Sequence, residues 1–212
     1  MSILTWGWKK ILLRALAVIF IIYVALVIYR AFHFWNLEKT NKQVEKIHST
    51  KLTLDDVFGR NLPPDPGAEA DKTVVGIDAN TNGIRDDVEL AIFKEYPNSA
   101  KTRAALLQYA LALQMGVTQS IVNTTVVDKV IGEQSRAGFC IADSLVPRET
   151  PESDRSNTDV EKIDTFIDFI EDRQFNTDTR EKARKDFYKN IGNFANSVKD
   201  EECDIDYSQL SN

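Results

Sequence analysis

The stretch Ser99–Gln114, SAKTRAALLQYALALQ, decides the fold. Ala104, Leu107, Ala110, Leu111, Ala112 and Leu113 spread over a wide face of a helix, the pattern of a central buried helix. Its neighbours read as helices too. Upstream, DDVELAIFKEY (Asp86–Tyr96) ends at Pro97. Downstream, VVDKVIGEQSRAGFCIADSL (Val126–Leu145) offers Val127, Val130, Ile131 and Phe139 to a core. After a polar loop, Thr158 opens TDVEKIDTFIDFIEDRQF with Glu161 three residues on, a capping-box pattern. Val160, Ile163, Phe166, Ile167 and Ile170 form its apolar stripe. Asp178 with Glu181 predicts the cap of a last helix, along which Ala183, Phe187, Ile191, Phe194 and Val198 follow 3–4 spacing. These stripes read as core and not as a cofactor site. The fold expected is all-α, a small helical bundle.

The first 35 residues have a different character. From Ile11 to Tyr29 runs ILLRALAVIFIIYVALVIY, interrupted only by Arg14. As a helix this run spans about 28 Å, close to the roughly 30 Å hydrocarbon core of a bilayer. Arg14 lies near one end, where its long stem carries the charge to the headgroups. Trp6 and Trp8 precede the run and Phe34 and Trp35 follow it. Trp8 and Trp35 are about 40 Å of helix apart, the separation of the two interfacial belts where indole rings settle. A cleaved signal peptide would have a shorter apolar region and a small-x-small cleavage site, and YRAFHFW offers none. Residues 1–35 are therefore expected to be an uncleaved, single-pass transmembrane anchor.

Orientation follows from weaker signals. Lys and Arg counts near the two ends are similar, but a short basic N-terminal tail normally stays in the cytoplasm while a long downstream domain translocates. Cys140 and Cys203 fit an oxidising compartment and are expected to be joined. The chain is placed in a bacterial inner membrane with its C-terminal domain in the periplasm. Residues 31–212 carry 22 basic against 32 acidic side chains, an acidic surface that argues against nucleic acid as a partner.

Residues 36–75 read as a stalk and linker. Leu37, Val44 and Ile47 give NLEKTNKQVEKIHSTKLTLDD a thin helical stripe that prolongs the membrane helix. GRNLPPDPGAEADKT is an irregular Pro/Gly linker, and Val74–Ile77 is a short extended piece. The helical domain, residues 76–212, begins with GIDANTNGIRDDVE. Counted from Asp78, this stretch places Asp78, Asn80, Asn82, Gly83, Ile84, Asp86 and Glu89 at positions 1, 3, 5, 6, 7, 9 and 12 of a 12-residue EF-hand calcium loop. Calcium is a hard cation that takes six to eight oxygens. Alternate side chains (Asp78, Asn80, Asn82, Asp86), the Ile84 carbonyl and a bidentate Glu89 supply that number. Gly83 permits the positive φ that turns the loop back around the ion.

With its Pro-rich lead-in and GIRDDVE exit, the stretch over residues 60–115 resembles a group of bacterial envelope proteins that carry one EF-hand-like loop, D-x-N-x-N-G-I-x-D-x-x-E. No biochemical role comes with the resemblance. The loop departs from the EF-hand in two ways. Pro66, Gly67 and TVVGI stand where an entering helix belongs, and no second loop pairs with the first. Arg85 occupies position 8, usually a hydrophobic residue. These departures favour a structural clip over a sensor. The plainer alternative is a tight Asn-Gly turn followed by an acid-capped helix, which leaves Asp78 and Glu89 unexplained at their registers.

G-x-S-x-G, the P-loop, H-E-x-x-H and C-x-x-C are all absent. His33 and His48, the only histidines, are expected at a wet surface beside the membrane and in the stalk. Two function classes follow. The first is a membrane-anchored, calcium-stabilised helical module that meets another envelope protein; the second is a small envelope enzyme working through carboxylates, with no pair singled out.

Overall fold

The computed structural model describes residues 3–121, 123–150, 153–192 and 202–210, with side chains from residue 8 onward. It is all-helical among these residues, with seven α-helices and no strand. Residues 1–42 and 43–212 form two separate units.

The first unit is the greater part of α1, Ile3–Ser49. From Trp8 on, this helix is long and apolar enough to cross a membrane, and its most apolar window is not buried by any other part of the chain. Trp8 and Trp35 are exposed at 71% and 57%. The Trp6 side chain lies outside the described residues. Lys42 pairs with Glu38 one turn away.

The second unit starts with the last turns of α1. Ile47, expected in a stalk, is fully buried, and His48 Nδ1 lies 3.0 Å from Glu133 Oε1 while its side chain stays 44% exposed. A short helix that the sequence reading missed, α2 (Leu54–Phe58), follows. Thr53 and Asp56 close its N-terminus as a capping box, and Gly59 in the left-handed conformation closes the other end. Further on, α3 (Asp86–Glu95) ends before Pro97 as expected. The central helix is α4 (Ala100–Thr118), capped by Ser99. Ala104, Leu107, Ala110, Leu111, Ala112 and Leu113 are all buried, and α2, α3, α5, α6 and α7 all pack on α4. Its five alanines, at 100, 104, 105, 110 and 112, are all buried.

Three helices complete the unit: α5 (Thr124–Leu145), α6 (Asn157–Gln174) and α7 (Asp178–Tyr188). On α5, Val127 and Val130 are buried as expected, but Phe139 is 41% exposed. At 100° per residue Phe139 lies about 160° to 200° away from Ala137 and Ile141, which face the core. The caps of α6 and α7 also differ from expectation. Ser156 with Asp159, not Thr158 with Glu161, forms the capping box of α6, since the shorter pair satisfies both donors and leaves Thr158 inside the first turn. Thr177 caps α7 by accepting from Arg180 N–H, so Asp178 is already helical. The last helix is shorter than its stripe: Asn190 Nδ2 takes the Asp186 carbonyl, backbone bonds tighten to three-residue spacing at Asn190 and Ile191, and Gly192 N–H turns to Asp128. Ile191 is consequently 44% exposed; Phe194 and Val198 lie outside the described residues.

A disulfide joins Cys140 on α5 to Cys203. It fastens residues 202–210, whose Asp204 serves several partners. Arg136 Nη2 donates to Asp204 Oδ1 at 2.6 Å, Leu52 N–H to Oδ2 at 3.0 Å, and Gln108 brackets the tail by donating to the Glu202 carbonyl and accepting from Asp204 N–H.

Candidate metal centre

The loop from Asp78 to Glu89 is shaped by its own side chains. Both Asp78 oxygens accept backbone N–H groups across the turn, from Asn82 at 3.1 Å and Gly83 at 2.9 Å. Asn82 Oδ1 accepts from Ile84 N–H at 2.9 Å. Asp86 reaches back to Ala79 N–H, at 3.0 and 3.2 Å to its two oxygens, while its own N–H donates to the Ile77 carbonyl. Asn80 Nδ2 bridges Glu89 Oε2 and the Asn61 carbonyl, each at 3.0 Å. Such side chain–backbone bonds are what Asp and Asn offer in place of a helical or strand ladder.

Two backbone features set the bend. Gly83 has φ +87°, and a Cβ there would lie 2.7 Å from Leu111 Cδ1 on α4. The left-handed conformation disfavours any larger residue, and a Cβ would also require the Leu111 side chain to shift. Thr81, at φ 59°, also sits in the left-handed region, a strained position for a β-branched side chain. Ile84 buries its side chain completely in the core, so the middle of the loop is held by packing as well as by hydrogen bonds.

Electrostatics single out the far end. Asp86 and Glu89 are 0% and 1% exposed. Burial pushes the Glu89 carboxyl up from 4.5 to about 7, with the charges of Asp56 and Asp86 adding to the rise and hydrogen bonds from Asn80 and Asn82 opposing it. Asp86 is raised for the same first reason, with Asp78 and Asp87 contributing. The loop's own arginine, Arg85, is directed elsewhere: it donates to Asp87 and to the carbonyls of Arg173 and Gln174 at the end of α6.

The six loop residues read from the sequence are thus gathered on one short turn. Asp78 and Asp86 turn their oxygens onto backbone N–H groups and Glu89 meets Asn80, and among the described residues no group of three or more His, Cys, Asp or Glu side chains is drawn together as a metal cluster. The donor set still fits a hard cation. It is oxygen-only and combines three carboxylates with two carboxamide oxygens. Two neighbours were missed by sequence reasoning. Asp56 Oδ1 accepts from Asn82 Nδ2 at 3.4 Å, and the Asn61 carbonyl accepts from Asn80. Both come from α2 and the turn after it, more than 15 residues upstream, where the polar end of the stalk and the Pro/Gly linker gave no sign of a packed element.

Two other sequestered acids are paired with cations. Glu133 and Asp204 share Arg136 at 2.7 and 2.6 Å, with Lys51 at 3.5 and 3.3 Å. A recess of about 10 Å³ beside α7 has room for one water. It is lined by Gln134, Arg184, Tyr188 and apolar residues, with no carboxylate among them. No known family model, curated protein or solved structure matches this chain.

Proposed function

We propose that this chain is a single-pass bacterial inner-membrane protein whose periplasmic helical domain is stabilised by calcium and meets another envelope protein. The observation that carries the calcium reading is Glu89: a buried carboxylate at position 12, raised by burial and by neighbouring acids, beside Asp86 and Asp78. Buried charges of one sign are costly without a counter-ion, and a divalent cation would offset the two buried carboxylates, Asp86 and Glu89, with half-buried Asp78 beside them. Asp78, Asn80, Asn82, Asp86 and Glu89 would hold it by side-chain oxygens and Ile84 by its carbonyl; the ion supplies positive charge, not redox chemistry. With three charged ligands and no partner loop, affinity falls in the weak extracellular range, on the order of 0.1–1 mM.

A rigid, disulfide-fastened module on a membrane helix suits an interaction or envelope-structural task. The anchor reading is supported by the apolar face of α1, exposed along residues 11–29. Sodium carbonate extraction of membranes tests it. Full-length protein stays in the pellet, and its appearance in the supernatant would refute the anchor. Thermal unfolding of the full chain in detergent tests the ion. The midpoint rises by a few degrees with about 2 mM calcium and much less with magnesium, which resists dehydration. Absence of both a calcium-dependent shift and a calorimetric heat up to about 10 mM would reduce the loop to a turn.

A further inference from the structure

Two of the most deeply buried large side chains in the second unit are arginines, Arg85 at 0% and Arg180 at 1% exposed. Arg85 stands at position 8 of the loop, between Ile84 and Asp86. Its guanidinium leaves the loop and caps the C-terminal end of α6, where Nη2 donates to the Arg173 carbonyl at 2.8 Å and Nη1 to the Gln174 carbonyl at 3.0 Å. Asp87 holds the same group from the other side, at 2.6 Å to Nε and 2.6 Å to Nη2. Arg180, in the first turn of α7, reaches in the opposite direction. It donates to Asp71 Oδ1 at 2.6 Å, to the Val74 and Thr73 carbonyls at 3.2 Å each, and to the Ala70 carbonyl. These carbonyls belong to the segment that leads into the loop.

The two arginines meet at Gly76. A Cβ there would collide with Arg85 Cγ at 2.6 Å and with Cδ, and would lie 3.2 Å from Arg180 Nη2. Gly76 has φ +73°, so neither its conformation nor its surroundings admit a side chain. The loop therefore sends an arginine to the α6–α7 corner, and the corner sends one back. Each guanidinium donates to backbone carbonyls across the junction while a carboxylate, Asp87 for Arg85 and Asp71 for Arg180, takes other donors, using the fixed fork geometry that Arg provides and Lys does not.

We infer that ion occupancy of the loop and docking of the α6–α7 corner are one linked equilibrium, transmitted by Arg85 and Arg180. The inference rests on the calcium reading above. An ion held by the Ile84 carbonyl and the Asp86 carboxylate fixes the residues on both sides of Arg85, and so fixes the root of its side chain. A buried guanidinium stripped of partners is costly, so the corner cannot loosen while Arg85 stays buried and the loop stays closed. Linkage is reciprocal: the factor by which calcium favours docking of the corner is the factor by which docking tightens calcium.

Hydrogen exchange on the full-length chain in detergent micelles tests this, with and without saturating calcium. Amides of residues 170–184 slow several-fold with calcium, while those of residues 126–134 on α5 change little. In Arg85→Met the calcium-dependent slowing at the corner disappears. Arg85→Lys, which keeps the charge without the fork, loses most of it and guards against a variant that does not fold. Calorimetric calcium affinity falls several-fold in Arg180→Met. If wild type takes up calcium with measurable heat yet its corner exchanges equally fast with and without the ion, the linkage is wrong and the site stands. If wild type shows no calcium heat, the site and the linkage fall together.

Discussion

Helix α4 and residues 67–85 are the same length, 19 residues, yet they hold their backbones by opposite means. The α4 backbone satisfies itself, so its side chains are free to be apolar, and Leu106, Leu107, Ala110 and Leu113 are almost completely buried. Residues 67–85 have little regular structure beyond one 3₁₀ turn, Gly67–Asp71, and no helix enters the loop. Their backbone groups are met by side chains: Arg180 and Gln114 take carbonyls at Ala70, Thr73, Val74 and Val75, and Asp78, Asn82 and Asp86 take N–H groups. Even α4 contributes polar side chains to this task, through Gln114 here, through Gln108 at the tail, and through Arg103, which donates to Val57, Tyr96 and Pro97 carbonyls. A local ladder depends on local sequence; a ladder of borrowed side chains depends on the whole fold. The first should fail by cavity, the second by loss of a single donor.

The largest effect concerns a third irregular segment, the tail at 202–210, which is held covalently. Replacing both cysteines, Cys140→Ala with Cys203→Ala, removes closure of a 63-residue separation, worth about 4 kcal/mol at most on the chain-entropy model. Urea unfolding of the double variant reads it, and an unchanged midpoint would mean that Asp204 and Gln108 alone secure the tail. Next comes Leu107→Ala on α4, fully buried in wild type, which should cost about 3 kcal/mol through transfer and cavity terms. A cost below about 1 kcal/mol would show that α4 is loosely packed and blur the contrast with the loop.

Arg180→Met comes third, at about 2 kcal/mol, because it leaves carbonyls at Ala70, Thr73 and Val74 without their donor. Its signature is local. Proteolysis or exchange should first open residues 67–76 while α4 stays protected. Simultaneous opening of both would break the distinction between the two segments.

The smallest effect is the ion. At about 2 mM, calcium binding at 0.1–1 mM should stabilise the domain by roughly 0.6–1.8 kcal/mol, and Glu89→Gln or Asp78→Ala should remove most of that shift with little change in helical content. The effect depends on pH with a fixed sign. The Glu89 carboxyl is raised from 4.5 to about 7 in the folded chain, so between these values the native state binds more protons than the unfolded state. Without calcium, the Glu89 contribution to stability therefore declines as pH rises through that window. Calcium needs the carboxylate, so its stabilisation grows over the same range. Thermal midpoints taken at about pH 5 and pH 8, with calcium and with chelator, should diverge; Glu89→Gln should flatten both trends.

Much of this architecture is legible from residues alone, and the physical reason is locality. An apolar stripe at 3.6-residue spacing belongs to one helix, which is why α3 to α7 and the long apolar run of α1 are found where the pattern puts them, with ends shifted by a residue or two in α3, α5 and α6, by four residues at the end of α4, and further in α7. The stretch from Asp78 to Glu89 is a pattern within twelve consecutive residues, and the structure places it on one turn without drawing three acids together as a metal cluster among the described residues. Composition favoured joining the two cysteines, and the structure joins them. Tertiary closure decided the rest. It turned Phe139 outward although its residue type fits a core, brought α2 and Asp56 alongside the loop, and ended the last helix at Tyr188. It also sent Arg85 and Arg180 across the junction to carbonyls 88 to 110 residues away in sequence. A carbonyl carries no side-chain signature and every residue has one, so which of them a buried guanidinium will meet is settled only when the helices have packed.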